Sequence, residues 1–237
     1  MGGIQVIEME DVIKTEFIQG QIEKKNYRKI WLKNAKKESG HPINLGIHMD
    51  THHLISAQAI KISGLADTLI RKGYKIDSLN NLVGFPSTLP AACHLGTQLH
   101  RGDHIYELPG EEAYHDYVSA LLSNKEEEID SCYGRTEKIE TDSAIHIMLD
   151  KDAEKVLRKI NSFKIPLTLI FNRFKEGGVG CANCTDISPA IDSILACKLG
   201  RNHIDQEDRK FQDSKQKWNF ESIKFPKLSS WKPKVGA

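Results

Sequence analysis

Two pairs of histidines carry the residue types and spacing most suited to chemistry in this chain. They are His52-His53, inside Asp50-Thr51-His52-His53-Leu54-Ile55, and His100 with His104, inside Leu99-His100-Arg101-Gly102-Asp103-His104. Eight of the ten histidines fall from His41 to His115, so imidazole is concentrated in one segment, which points to a metal-centred active site. Adjacent residues of a strand face opposite sides, so His52 and His53 can serve different purposes where the strand ends or distorts. Residues four apart on a helix share a face, so a helix carrying His100 and His104 would let both grip one ion. His52 would complete a three-nitrogen site with open positions for water and a phosphate oxygen, the openness that separates catalytic from structural metal sites. His53 is then left as a general base, since imidazole titrates nearest neutral pH. Asp103 is also within reach of such a site, and His94, beside Cys93, could supply an outer contact.

These residues resemble the HNH/endonuclease VII nucleases with a His-Me finger, and within them the toxin-nuclease branch called AHH. The resemblance rests on His52-His53-Leu54-Ile55, on Leu79-Asn80-Asn81-Leu82-Val83-Gly84-Phe85-Pro86, and on His100-Arg101-Gly102-Asp103-His104 followed by Tyr106, Tyr114 and Tyr117. It covers about residues 46 to 122; Thr51 stands where the family usually has Ala and Ser56 where it usually has Pro. Residue by residue, the resemblance implies that His52, His100 and His104 are metal ligands on a ββα-metal finger and that His53 activates water. Asn81 would be the family's middle Asn, whose amide bonds backbone across a loop and fixes the strand carrying the base. The resemblance further implies one divalent ion, with Mg, Mn, Ni and Zn all open. It also implies a nucleic-acid substrate, DNA ahead of RNA. Finally, it implies a bacterial antagonism toxin that is made in the cytoplasm, delivered into a rival cell and restrained at home by an immunity protein. Two other classes stay open on the residues alone: a non-catalytic zinc- or nucleic-acid-binding module, and a metal-dependent hydrolase of another phosphodiester.

A lone histidine is more often a surface or hydrogen-bonded core residue than a ligand, and His41, His48, His115, His146 and His203 are read that way. The cysteines offer a second, weaker metal set: Cys181 and Cys184 form a C-x-x-C, with Cys197 and His203 beyond them, the ligand types of a structural zinc. Five cysteines are an odd number, which argues against a full disulfide framework and for a reducing compartment.

Net charge is +1, so its distribution is more informative than its sum. Lys24, Lys25, Arg28, Lys29, Lys33, Lys36 and Lys37 face only Glu23 and Glu38 between residues 21 and 40, with Tyr27 and Trp31 interleaved, a mixture suited to a phosphate backbone. Lys24, Lys25, Arg28 and Lys29 are the candidate nucleic-acid contacts. The stretch from Asp208 to Ala237 is basic too, with eight cations against three acids, whereas Glu107 to Asp130 sets eight acids against Lys125. A solvated face is the ordinary reading of any one such run; an acidic one beside a nuclease site could also attract a basic partner.

The elements that must position these residues divide the chain into three parts, residues 1–45, 46–125 and 126–237. The first reads as a strand from Ile4 to Ile7 and a basic helix from about Glu23 to Lys37, stopped at Ser39-Gly40. The second is the His-rich core. In it Ser56 caps a helix running to Lys72, with Gly73 as its stop, and Tyr74 to Phe85 is loop and short strand. Leu89-Pro90 then opens a helix toward His104, and Tyr114 to Leu122 has helical spacing. The third reads as an α/β extension: a strand from Ala144 to Leu149, a helix from Asp152 to Ile160, a strand from Ile165 to Phe171, and a helix from Ser188 to Leu199. The fold class expected is therefore α+β. At 237 residues and 39% hydrophobic content the chain can bury a core. No apolar run approaches the ~20 residues of a membrane span, and Met1-Gly2-Gly3-Ile4-Gln5 lacks the pattern of a signal peptide.

Overall fold

The computed structural model describes residues 26–87, 91, 92, 95–100, 104, 112–132, 144–167 and 231–237. Outside them lie the strand expected from Ile4 to Ile7, Lys24 and Lys25, Cys93 and His94, Tyr106, and most of the C-terminal extension, including Cys181, Cys184, Cys197 and His203. The described residues are mixed α and β, with helices packed around a small two-stranded sheet. This is the α+β class expected, compatible with a ββα-metal core.

The sheet is an antiparallel ribbon of β1 (Met49–His53) and β2 (Leu82–Pro86), in register from Met49 opposite Pro86 to His53 opposite Leu82. Its period of two sorts the side chains of β2 between two apolar clusters. Val83 and Phe85 join the larger cluster, built from the helices that follow β1 and β2. Leu82 joins Met49, Trp31, Ala35 and Ile47 in a smaller one. Gly84 faces that smaller cluster, where a Cβ would overlap the Trp31 indole; glycine is required because a second buried group already fills the space.

Helix α1 (Tyr27–Ala35) supplies the smaller cluster and is shorter than its basic run, ending through Lys36. Helices α2 (Ala57–Ile62) and α3 (Ala66–Arg71) replace the single helix expected from Ser56 to Lys72. Ser56 does cap, its hydroxyl accepting from the Ala59 amide at 3.1 Å, but Gly64 at φ 74° turns the chain left-handed between the two. No L-residue with a Cβ adopts that conformation readily, so the apolar spacing continues while the helix does not. Helix α4 (Tyr114–Ser123) forms where helical spacing placed it, and α5 (Glu126–Ser131) follows with three glutamates in its first turn.

Helix α6 (Ala144–Asn161) corrects the strand expected from Ala144 to Leu149. That short apolar run fits either period, but Ile145, Met148, Leu149, Ala153, Val156, Leu157 and Ile160 are all buried and recur at helical spacing, which the longer window decides. Residues 165–167 beyond it are not a strand. The larger cluster takes residues from Leu54 to Leu167, on both sides of residue 125. No helix among the described residues is long and apolar enough to cross a membrane.

Candidate active site

His52 and His53 are the last two residues of β1, and strand alternation sends their imidazoles to different surroundings. His52 is buried, its ring 5.8 Å from that of Phe85 and 5.0 Å from that of Tyr114. His53 lies against the Tyr27 ring of α1 at 4.6 Å and points Nε2 at Asp77 Oδ1, 3.0 Å away.

The end of β1 is pinned by two buried polar side chains. Asn81, with no exposure, donates from Nδ2 to the carbonyls of Ile55 (3.0 Å) and Ile76 (2.9 Å), and its Oδ1 accepts from the Ile55 amide at 2.7 Å. One amide thus satisfies three backbone groups that burial would otherwise leave unpaired. The Tyr114 hydroxyl lies 2.7 Å from the carbonyl of His53 and 2.8 Å from that of Leu54. The backbone carrying both histidines is therefore held from two sides.

His100 and His104 reach His52 by a route other than the one expected. Helical backbone stops at Leu95; Gly96 is left-handed at φ 65°, residues 98–100 are irregular, and His104 has φ 58°. The two histidines therefore do not share a helix face. The described backbone at both positions is non-helical, yet the nitrogens still converge. His52 Nδ1 is 3.1 Å from His100 Nε2, which is 3.1 Å from His104 Nε2, and all three atoms lie within 4.8 Å of one another. His104 Nδ1 lies 3.0 Å from the carbonyl of Leu167; a carbonyl only accepts, so Nδ1 carries a proton, and in the neutral ring Nε2 presents a lone pair. His100 Nε2 faces two ring nitrogens and has at most one proton to share between them. A cation placed among three such nitrogens resolves what hydrogen bonding cannot, and imidazole is a donor that zinc and its neighbours accept. The residues present fit a metal ion.

Electrostatics favour the same state. Burial holds His52 and His100 well below the ordinary imidazole value, and the neighbouring imidazoles push in the same direction. Neutral rings are the form that binds metal. His52 Nε2 and His100 Nδ1 are buried with no hydrogen-bond partner among the described residues, so these rings are oriented by packing.

Three other histidines hydrogen-bond within the fold. His41 Nδ1 accepts from the Ile43 amide at 3.2 Å, His115 Nδ1 lies 3.0 Å from Ser56 Oγ, and His146 Nε2 accepts from the Lys75 amide at 2.9 Å. Of the candidate nucleic-acid contacts, Lys29 is exposed on α1, while Arg28 is paired with Asp50 of β1 at 2.8 Å. Asp77 and Gln98, which touch the site or its supports, carry no mark in the sequence. Asp77 reads as an ordinary turn residue before Ser78, and Gln98 as one polar residue in a mixed run.

Neither a curated protein nor a solved structure matches the chain. The profile of the AHH family, described as a nuclease family of the HNH/ENDO VII superfamily, matches residues 30–158. That span is more than half of the chain and contains both histidine pairs, Asn81 and Asp77. With this match, the chain belongs to the AHH nucleases of the HNH/ENDO VII superfamily.

Proposed function

We propose that this nuclease is a metal-dependent endonuclease that cuts DNA, with His52, His100 and His104 holding one divalent ion and His53 acting as general base. The observation that carries this reading is the convergence of three imidazole nitrogens on one point, one of them from the strand end that also presents His53. When bound, such an ion supplies Lewis acidity that offsets charge on the phosphate and the leaving 3′-oxygen. His53 takes the proton of the attacking water. With Nε2–H held by the Asp77 carboxylate, the ring nitrogen left for that proton is Nδ1, and Asp77 fixes both the tautomer and the ring plane. Asn81 and Tyr114 hold the backbone under the base, so its position costs no reorganisation during the reaction.

The chain is proposed to grip DNA through exposed lysines of α1, whose first residue, Tyr27, already touches His53. The resemblance of the histidine motifs to the AHH toxins supports the further reading that the protein acts in a rival cell after delivery and is restrained by an immunity protein. A basic partner surface would suit the glutamates at the start of α5. Incubating the protein with supercoiled plasmid and, separately, with structured RNA, each with and without EDTA, tests the reading. Plasmid linearisation that EDTA abolishes is expected; cleavage untouched by EDTA, or of RNA alone, overturns it.

A further inference from the structure

Gln98 is buried, 4% exposed, and spends its whole amide on the last turn of α6 and the chain that follows it. Its Nε2 donates to the carbonyls of Ile160 (2.9 Å) and Ile165 (2.7 Å), and its Oε1 accepts from the Leu167 amide at 2.8 Å. Leu167 in turn offers its carbonyl to His104 Nδ1 at 3.0 Å. The side chain two residues before His100 therefore sets the position of the acceptor that fixes the tautomer of His104. Two strained backbone positions accompany this network, one at His104 and one inside the turn that Gln98 bonds. Among the described residues, His104 (φ 58°) and Phe163 (φ 56°) are the non-glycine residues at positive φ, a conformation that persists where surroundings over-determine it.

The family match ends at residue 158, so the turn from Ile160 to Leu167 lies past it. We infer that this turn is a working part of the metal centre, with Gln98 as a positioning residue that locks His104 in the Nδ1–H tautomer and aims its Nε2 at the ion. The inference rests on the metal-centre reading given above. Acceptors behind a ligating imidazole orient the ring and raise its basicity, and losing one typically weakens metal affinity about 10- to 100-fold.

The test uses the full chain and two variants, Gln98→Met, which removes all three bonds at similar size, and Gln98→Glu, which keeps the acceptor for Leu167 and loses both donations. Calorimetric titration with Zn²⁺ alone should show affinity about 10- to 100-fold weaker in Gln98→Met and an intermediate loss in Gln98→Glu. Nitrogen-15 spectra of the metal-free proteins should show the Nδ1–H tautomer of His104 in the parent and a mixture in the variants. If Gln98→Met does not fold, Gln98→Glu carries both readouts. A folded variant that binds Zn²⁺ as the parent does and keeps a pure Nδ1–H tautomer overturns the inference. A parent that binds no Zn²⁺ sinks the metal-centre reading instead, and the tautomer comparison then still decides whether Gln98 fixes His104.

Discussion

His53 Nε2 and Asp77 Oδ1 stand 3.0 Å apart, joined across a sequence separation of 24 residues by the loop that Asn81 closes. A base oriented by a carboxylate loses orientation when the carboxylate becomes an amide, because an amide can present its N–H₂ to the ring instead. Asp77→Asn should lower kcat for plasmid cleavage about tenfold or more, and His53→Ala by about 10²- to 10⁴-fold, both with Zn²⁺ affinity near that of the parent. A parental kcat in Asp77→Asn would show that this pairing is only structural.

His52→Ala, His100→Ala and His104→Ala should each weaken metal binding, since each removes one of three nitrogens aimed at the same point. Burial keeps His52 and His100 neutral well below the ordinary value of 6.5, so protons compete poorly for two of the three ligands. Parental affinity should be nearly flat from pH 8 to pH 6, measured by calorimetry. A steep loss centred on pH 6.5 would show that these rings are solvated, not buried.

Acid should destabilise the fold through His41. Its ring is wholly buried between Trp31 and Trp231, and burial holds it down to about 4, with Glu38 opposing and Lys234 adding a smaller pull. In the unfolded chain it titrates near 6.5, so between pH 6.5 and 4 the unfolded state binds the proton and the native state does not. Stability should therefore fall as pH drops through that window, by on the order of 3 kcal/mol, with no contribution from this group above it. Asn can cap in place of His without titrating, so denaturant melts of His41→Asn across pH 4 to 7 should lose this part of the slope. An unchanged slope would assign acid sensitivity elsewhere.

Gly84→Ala should destabilise by about 1–3 kcal/mol, the usual cost of forcing extra volume into a packed core. The new methyl would overlap the Trp31 ring, whose Cη2 would be 2.8 Å away. Because Gly84 pairs with Thr51, next to His52, activity should fall with stability. A melt indistinguishable from the parent's would mean that the indole can move aside.

For DNA binding, Arg28 is a poor residue to reverse, because a glutamate there would face Asp50 on the strand that carries His52 and His53. Lys29 and Lys33 are exposed and clear of that pair. Lys29→Glu with Lys33→Glu should weaken DNA binding and flatten the salt dependence by about 0.9 in log–log slope for each phosphate no longer neutralised, leaving kcat at saturating DNA near the parental value. Unchanged affinity and slope would leave this face to solvent or to a protein partner.

The gathering of His52, His100 and His104 was legible in the sequence because histidine is scarce and its spacing within a short segment is informative. The backbone that gathers them was not. His100 and His104 sit four apart, a spacing that suits a shared helix face, yet Gly96 ends the helix and His104 itself adopts a left-handed turn. Ala144 to Leu149 is too short a run to separate strand from helix without the rest of α6 that follows it. Asp77, Gln98 and Tyr114 act through partners 24 to 69 residues away, and no local pattern marks such a pairing. The Cys181, Cys184, Cys197 and His203 set, with Lys24 and Lys25, lies outside the described residues.

One arrangement governs how this molecule must assemble. The Gly236 amide donates to the Leu82 carbonyl at 2.7 Å, the Gly84 amide donates to the Ala237 carbonyl at 3.3 Å, and Asn34 reaches the Gly236 carbonyl across 202 residues of chain. Gly236 and Ala237 thus bond to the first half of β2, and Trp231 packs on the smaller cluster. A two-stranded ribbon is marginal in water by itself and offers a bare edge to other chains. The ribbon that carries His52 and His53 therefore reaches its protected state only after a very long loop has closed, a step whose entropy makes folding slow relative to the local helices. During synthesis, the strands that bear the histidines emerge long before the segment that seals them.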